Sequence, residues 1–116
     1  MRLKDVAKSL NLTIRTGKNL LEREVTGGYA GDLLSDVLAN SRKGDVWVTL
    51  QSHANIVAVA SAKELSAIII VNGRTPEEET ARKAEEQNIP IMISTLSTYK
   101  VVSRLCELGV KAHDRV

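Results

Sequence analysis

Polar side chains able to receive an anion gather in three short stretches: Gln51-Ser52-His53 with Asn55, Asn72-Gly73-Arg74-Thr75, and Ser94-Thr95 with Ser97-Thr98. Each follows an apolar run and precedes a helical pattern. Hydroxyls and carboxamides in such places can bind a phosphate or carboxylate, and the N–H groups of a first helical turn add partial positive charge. The three helix starts are not equivalent. Glu77, Glu78 and Glu79 crowd the turn after Thr75 and repel an anion, whereas the helices opening after Ser52 and Ser97 carry no acid in their first turn. A fourth stretch, Thr26-Gly27-Gly28, adds backbone N–H groups if its strand lies alongside. The candidate ligand-binding residues are therefore Thr26, Gly27, Gly28, Gln51, Ser52, His53, Asn55, Ser94, Thr95, Ser97 and Thr98. Their ligand is expected to be a small anionic metabolite or a nucleotide. The competing explanation is that these hydroxyls only cap helices and satisfy turn backbone.

No complete catalytic set accompanies them. His53 has the chemistry of a general base, but no Ser or Cys nucleophile with a third orienting acid stands at recognisable spacing. Two histidines, one of them His113 near the C-terminus, and a lone cysteine make no motif-spaced zinc or iron site. No calcium loop of the D-x-[DN] type is present. Gly17-Lys18-Asn19 lacks the upstream glycine and the hydroxyl of a nucleotide-kinase loop, and Gly27-Gly28-Tyr29-Ala30-Gly31 lacks the register of a dinucleotide turn. No enzyme, metal or cofactor is expected. The acids at 77–79 and 85–86 pair with Arg82 and Lys83 along a solvated helix face.

The elements that position these loops come from an aliphatic chain. Hydrophobic residues make up 43% of the 116 and aromatic residues only 3%, with no Phe. Length and composition fit a single domain, 1–116, with a Val/Ile/Leu/Ala core. The net charge of +2 disfavours a dedicated nucleic-acid binder. No window approaches the roughly 18 apolar residues of a membrane span, and Met1-Arg2-Leu3-Lys4-Asp5 has no apolar signal core. A cytoplasmic location is expected, with Cys106 buried as a small hydrophobe.

From residue 44 onward the pattern is regular: strands at 46–50, 67–71 and 90–93 alternate with helices at 53–64, 76–87 and 97–109. Ala67-Ile68-Ile69-Ile70-Val71 shows no alternation, as a parallel strand covered on both faces requires. Thr75-Pro76 is expected to open the second helix and Gly109 to cap the third. The expected core is Val48, Leu50, Ile69, Val71, Ile91, Ile93, Val37, Val102 and Leu105. Before this unit come a helix at 2–10, a short strand at Leu12-Thr13-Ile14, a second strand around Leu21–Val25, and a helix from Asp32 to Asn40. The fold class is α/β: a layered sheet with a parallel β-α-β-α-β-α core and helices on both faces, extended by an N-terminal β-element. Residues 3–20 also mimic the opening of a DNA-binding helix-turn-helix. Gly17 falls in the middle of its recognition helix, where it costs about 1 kcal/mol relative to Ala, and no supporting third helix follows.

The run Glu22-Arg23-Glu24-Val25-Thr26-Gly27-Gly28 resembles the signature of the DRTGG domain, with Glu22 where the family name has Asp. The resemblance continues through Asp32–Val37, Gly44–Thr49, Ile89-Pro90-Ile91 and Ser94–Thr98. Such domains are similar to the N-terminal domain of HPr kinase/phosphorylase and to the uridine-nucleotide-binding domain of muramyl-peptide ligases. They occur beside catalytic parts in CBS-domain pyrophosphatases and phosphotransacetylases. The resemblance implies a dimerising regulatory or sensor module acting on a separate enzyme or signalling chain. It does not imply kinase activity, because that kinase's phosphate-binding segment lies in another domain. The line Ala54, Ala58, Ala62 on the helix at 53–64 is the candidate homodimer contact. The alternative is a purely structural dimerisation or docking domain without a ligand.

Overall fold

The computed structural model describes residues 1–112, and His113 lies outside them. In chain order come α1 (Leu3–Ser9), β1 (Thr13–Thr16), a 3-10 turn (Lys18–Leu20), β2 (Gly27–Ala30), α2 (Leu34–Asn40), β3 (Asp45–Thr49), α3 (Asn55–Lys63), β4 (Ala67–Ile70), α4 (Glu78–Gln87), β5 (Ile91–Ile93) and α5 (Thr98–Leu108). The five strands make one sheet in the order β1-β5-β4-β3-β2. Strands β2 to β5 run parallel, and β1 closes the far edge antiparallel to β5.

Every residue of β4 is buried. Its alternate side chains feed two separate cores. Ala67, Ile69 and Val71 join Val46, Val48 and Met92 under Leu3 and Val6 of α1 and Val101 and Leu105 of α5. Ile68 and Ile70 join Trp47 and Ile91 under Val37 of α2, Ile56 and Val57 of α3, and Ala84 of α4. The α/β layering read from the sequence is thus present, with helices on both faces. Gly109 caps α5 in the left-handed conformation at φ 104°, as expected.

The N-terminal part departs from expectation. Residues 21–25 are not a strand, apart from one bridge between Arg2 and Glu24. Their backbone is consumed by the chain start instead: Leu3 N donates to Arg23 O, Lys4 N to Leu21 O, and Val25 N to Met1 O. The strand lies further on and takes in the glycines that were expected to form a turn. Residues 13–16 are β1 rather than a recognition helix, which removes the helix-turn-helix reading. Helix α4 starts at Glu78 with Glu77 as its N-cap, so Thr75-Pro76 does not open it. Its start is drawn down by Ser52 O, which accepts from Glu77 N at 3.2 Å and from the Thr80 hydroxyl at 2.7 Å. Leu50, Ile93 and Val102 are only half-buried, and Cys106 is exposed rather than core. Each sits at a strand end or on the outer side of α5.

Ile69 is fully buried at the centre of the sheet. Ile69→Ala is expected to cost about 2–5 kcal/mol in denaturant melts. A loss under about 1 kcal/mol contradicts burial of β4 between two helical layers.

Candidate functional site

Because β2 to β5 run parallel, the sheet has a carboxyl end and an amino end, and the candidate loops divide between them. The loops after β3, β4 and β5 meet at the carboxyl end, where ligands bind in open parallel sheets. The β4–α4 loop ties its neighbours together. Asn72 N donates to Leu96 O and Gly73 N to Ser94 O, both at 2.8 Å, while Arg74 Nη1 donates to Leu50 O at 2.9 Å. The structure therefore brings Gln51, Ser52, His53 and Asn55 to one rim with Ser94, Thr95, Ser97 and Thr98.

The two helix starts on that rim are not alike. Ser97 caps α5, its hydroxyl accepting from Lys100 N at 3.3 Å, and Ser94 Oγ accepts from Leu96 N at 3.0 Å. These two serines perform the capping and turn duties of the competing explanation. Helix α3, by contrast, opens at Ala54 with no side-chain cap and no acid in its first turn. The helices also lie on opposite faces, α3 with the Trp47 core and α5 with the Ile69 core.

Around α3 the polar groups are organised by residues that the motif reading passed over. Asp32 Oδ1 accepts from Leu50 N at 2.7 Å and from Thr49 Oγ1 at 2.9 Å. Gln51 Nε2 donates to Asp32 O at 2.8 Å. His53 Nδ1 lies 2.8 Å from Glu77 Oε2, so an acid of α4 reaches the His53 side chain. The available signal for Asp32 was its place just after a glycine-rich strand. The sequence reading opens a helix at Asp32, whereas α2 begins at Leu34 and leaves Asp32 in the loop before it. Asn55 and Thr95 are exposed.

Thr26, Gly27 and Gly28 do not join this rim. Gly27 pairs with Asp45 at the start of β3, which places the whole stretch at the amino end. Neighbouring backbone explains the composition there. Thr26 N donates to Gly44 O at 3.0 Å and Thr26 Oγ1 to Lys43 O at 3.1 Å. Gly44 has φ +86°, and a Cβ on it would lie 2.2 Å from Thr26 Oγ1. Arg23 Nη1 donates to Asn88 O at 3.1 Å and to Ser66 O at 3.5 Å. Ser66 Oγ returns a bond to Glu24 O at 2.7 Å. The run from Arg23 to Gly28 is a clasp across the amino ends of β3 and β4.

The DRTGG domain model matches residues 5–108. The chain belongs to the DRTGG domain family. Among solved structures, this DRTGG domain is similar to the CBS and DRTGG domains of the regulatory region of Clostridium perfringens pyrophosphatase, complexed with the activator diadenosine tetraphosphate. That likeness has a TM-score of 0.71 at 14% identity, covering 97% of this chain and 51% of that one. The DRTGG domain therefore spans about half of the solved chain, and the likeness is one of fold. No curated protein matches the sequence. Among the described residues no His/Cys/Asp/Glu group could hold a metal ion, and no helix is long and apolar enough to cross a membrane.

The clasp makes Gly44 the most constrained position of the DRTGG motif region. Gly44→Ala combines a left-handed φ with a clash against Thr26, and is expected to destabilise by more than about 1 kcal/mol. An unchanged denaturation midpoint would contradict that role.

Proposed function

We propose that this DRTGG domain is a non-enzymatic regulatory module that binds a small anionic metabolite or nucleotide and passes its occupancy to a separate enzyme or signalling chain. One observation carries the reading: α3 begins on the carboxyl rim with neither side-chain cap nor first-turn acid. The helix dipole at this start favours negative charge, while Ile56 N and Val57 N donate to His53 O and Ala54 O within the turn. Arg74, anchored on Leu50 O, adds a guanidinium beside the same loop. Gln51, Ser52 and Asn55 supply further hydrogen-bonding groups, and the His53–Glu77 pair borders them. The regulatory region of the similar pyrophosphatase, crystallised with a nucleotide activator, supports the choice of ligand class. The loop at 94–98 belongs to the α5 face and enters this proposal only as the neighbouring wall.

A second reading, homodimerisation, rests on the outer surface of α3. Ile56, Val57, Val59 and Ala60 turn inward, while Ala58 and Ala62 are exposed and Ala54 is half-buried. Leu33 and Leu38, beside α3 on the α2 edge, are 68% and 46% exposed. The expected small-residue line is thus on the surface, where a second copy could approach closely.

A thermal-shift screen against nucleotides, nucleotide sugars and small carboxylates tests the first reading. A ligand at 100 times its dissociation constant is expected to add about 2.7 kcal/mol, and Arg74→Ala is expected to weaken it. A screen answered only by cations, or an Arg74→Ala variant that binds as well as the parent, contradicts it. For the second reading, light scattering is expected to show a dimer that Ala58→Glu converts to a folded monomer. A parent chain already monomeric at high micromolar concentration rules the contact out.

A further inference from the structure

The amino end of the sheet holds a cavity of about 570 Å³ between the C-terminal ends of α3 and α4 and the lead-in to β2. Its volume lies within the roughly 300–1,000 Å³ of small-molecule sites. Leu65 and Ile89 give it an apolar floor, and Arg23, Lys43, Ser61, Glu64 and Asn88 stand around it. It is at the opposite end of the sheet from the rim discussed above.

Arg23 is the unusual member. The two acids flanking it in the chain are paired elsewhere: Glu22 with Lys4 at 2.7 Å, and Glu24, which also lines the cavity, with Arg2 at 3.4 Å and the terminal amine at 3.9 Å. Arg23 spends Nη1 on the carbonyls of Ser66 and Asn88. Among the described residues it meets no carboxylate, and its Nε and Nη2 find no acceptor. A half-buried guanidinium with one free edge, lining a cavity, matches the two oxygens of a carboxylate.

Apart from Lys43, the rest of the cavity has the opposite sign. Helices α3 and α4 both end there, at Glu64 and Asn88 in the left-handed conformation. Each end presents a partial negative charge of about half an electron. Glu64 adds a full charge and is held only loosely by Lys43, at 4.0 Å with both side chains exposed. A phosphate dianion would face two carbonyl-rich helix ends and a carboxylate. An ammonium group is suited to them.

We propose that this cavity is a second binding site, for a small aliphatic zwitterion of the α-amino-acid kind. Its carboxylate lies on the free edge of Arg23, its amine points to Glu64 and the helix C-termini, and its side chain rests on Leu65 and Ile89. The site is independent of the anion reading at α3, and its occupancy reports on different amides.

L-leucine titrated into the full chain, followed by amide NMR shifts, tests it. Perturbations are expected at Ser61, Glu64, Asn88 and Ile89, while an anion at the rim would move residues 51–56. Leucinamide, which lacks the carboxylate, and 4-methylpentanoate, which lacks the amine, are each expected to bind at least about tenfold more weakly. Arg23→Gln is expected to weaken L-leucine by a similar factor. Glu64→Gln, on an exposed side chain, serves the same purpose if Arg23→Gln does not fold. Absence of L-leucine binding, 4-methylpentanoate binding as well as L-leucine, or shifts confined to other residues would overturn the proposal.

Discussion

Burial of β4 on both faces is the constraint from which the rest of the molecule follows. Ala67, Ile68, Ile69 and Ile70 are all fully inaccessible, so the sheet needs a helical layer above and below. Parallel neighbours on either side of β4 then require crossover connections. Two of these, α3 and α4, lie together on the Trp47 face, which sends both their starts to the carboxyl end of the sheet and both their ends to the amino end. The electrostatic contrast between the two ends of the molecule comes from that arrangement of helix dipoles. One end of α3 favours negative charge, while the other collects carbonyls and the cation of Arg23.

The family's sequence signature makes sense as a mechanical part of this design. The segment before β2 passes between the first turn of α1 and the amino ends of β3 and β4. Its alternation sends Glu22 and Glu24 toward Lys4, Arg2 and the terminal amine and Arg23 toward Ser66 and Asn88. Gly44 leaves room for Thr26, and Gly28 sits against Val110 and Val46, within ordinary contact of an added Cβ. A stretch that resembles a phosphate loop in composition is thus largely explained by backbone crowding and carbonyl satisfaction.

The parallel core was legible because each of its signals is local. The unbroken apolar run at 67–71, the polar loops after each strand and the glycine closing α5 can all be read within a few residues. The lead-in to β2 was not, because Leu21 and Val25 with charges between them imitate a strand. Only the distant backbone of Met1 to Lys4 reveals that their hydrogen bonds go elsewhere. The polar rim at the carboxyl end was legible in composition but not in sidedness. Nothing near Ser97 shows that α5 returns to the α1 face, since that choice depends on Val101 and Leu105 meeting Leu3 and Val6 across the fold. Asp32 escaped notice for a similar reason, its partners Thr49 and Leu50 being 17 and 18 residues away.

The Thr16 hydroxyl donates to Ile89 O and accepts from Ile91 N, both at 2.8 Å and across 73 and 75 residues. With the antiparallel register of Ile14 on Met92, it fastens the first strand made to the last. On the ribosome β1 therefore emerges long before its sheet neighbour β5 exists, and it must wait as a solvated segment until β5 clears the exit tunnel. Loop-closure entropy on that scale has to be met before the contact contributes anything. Completion of the sheet accordingly waits for β5, and a nascent chain that stops before Ile91 carries an open edge on β4.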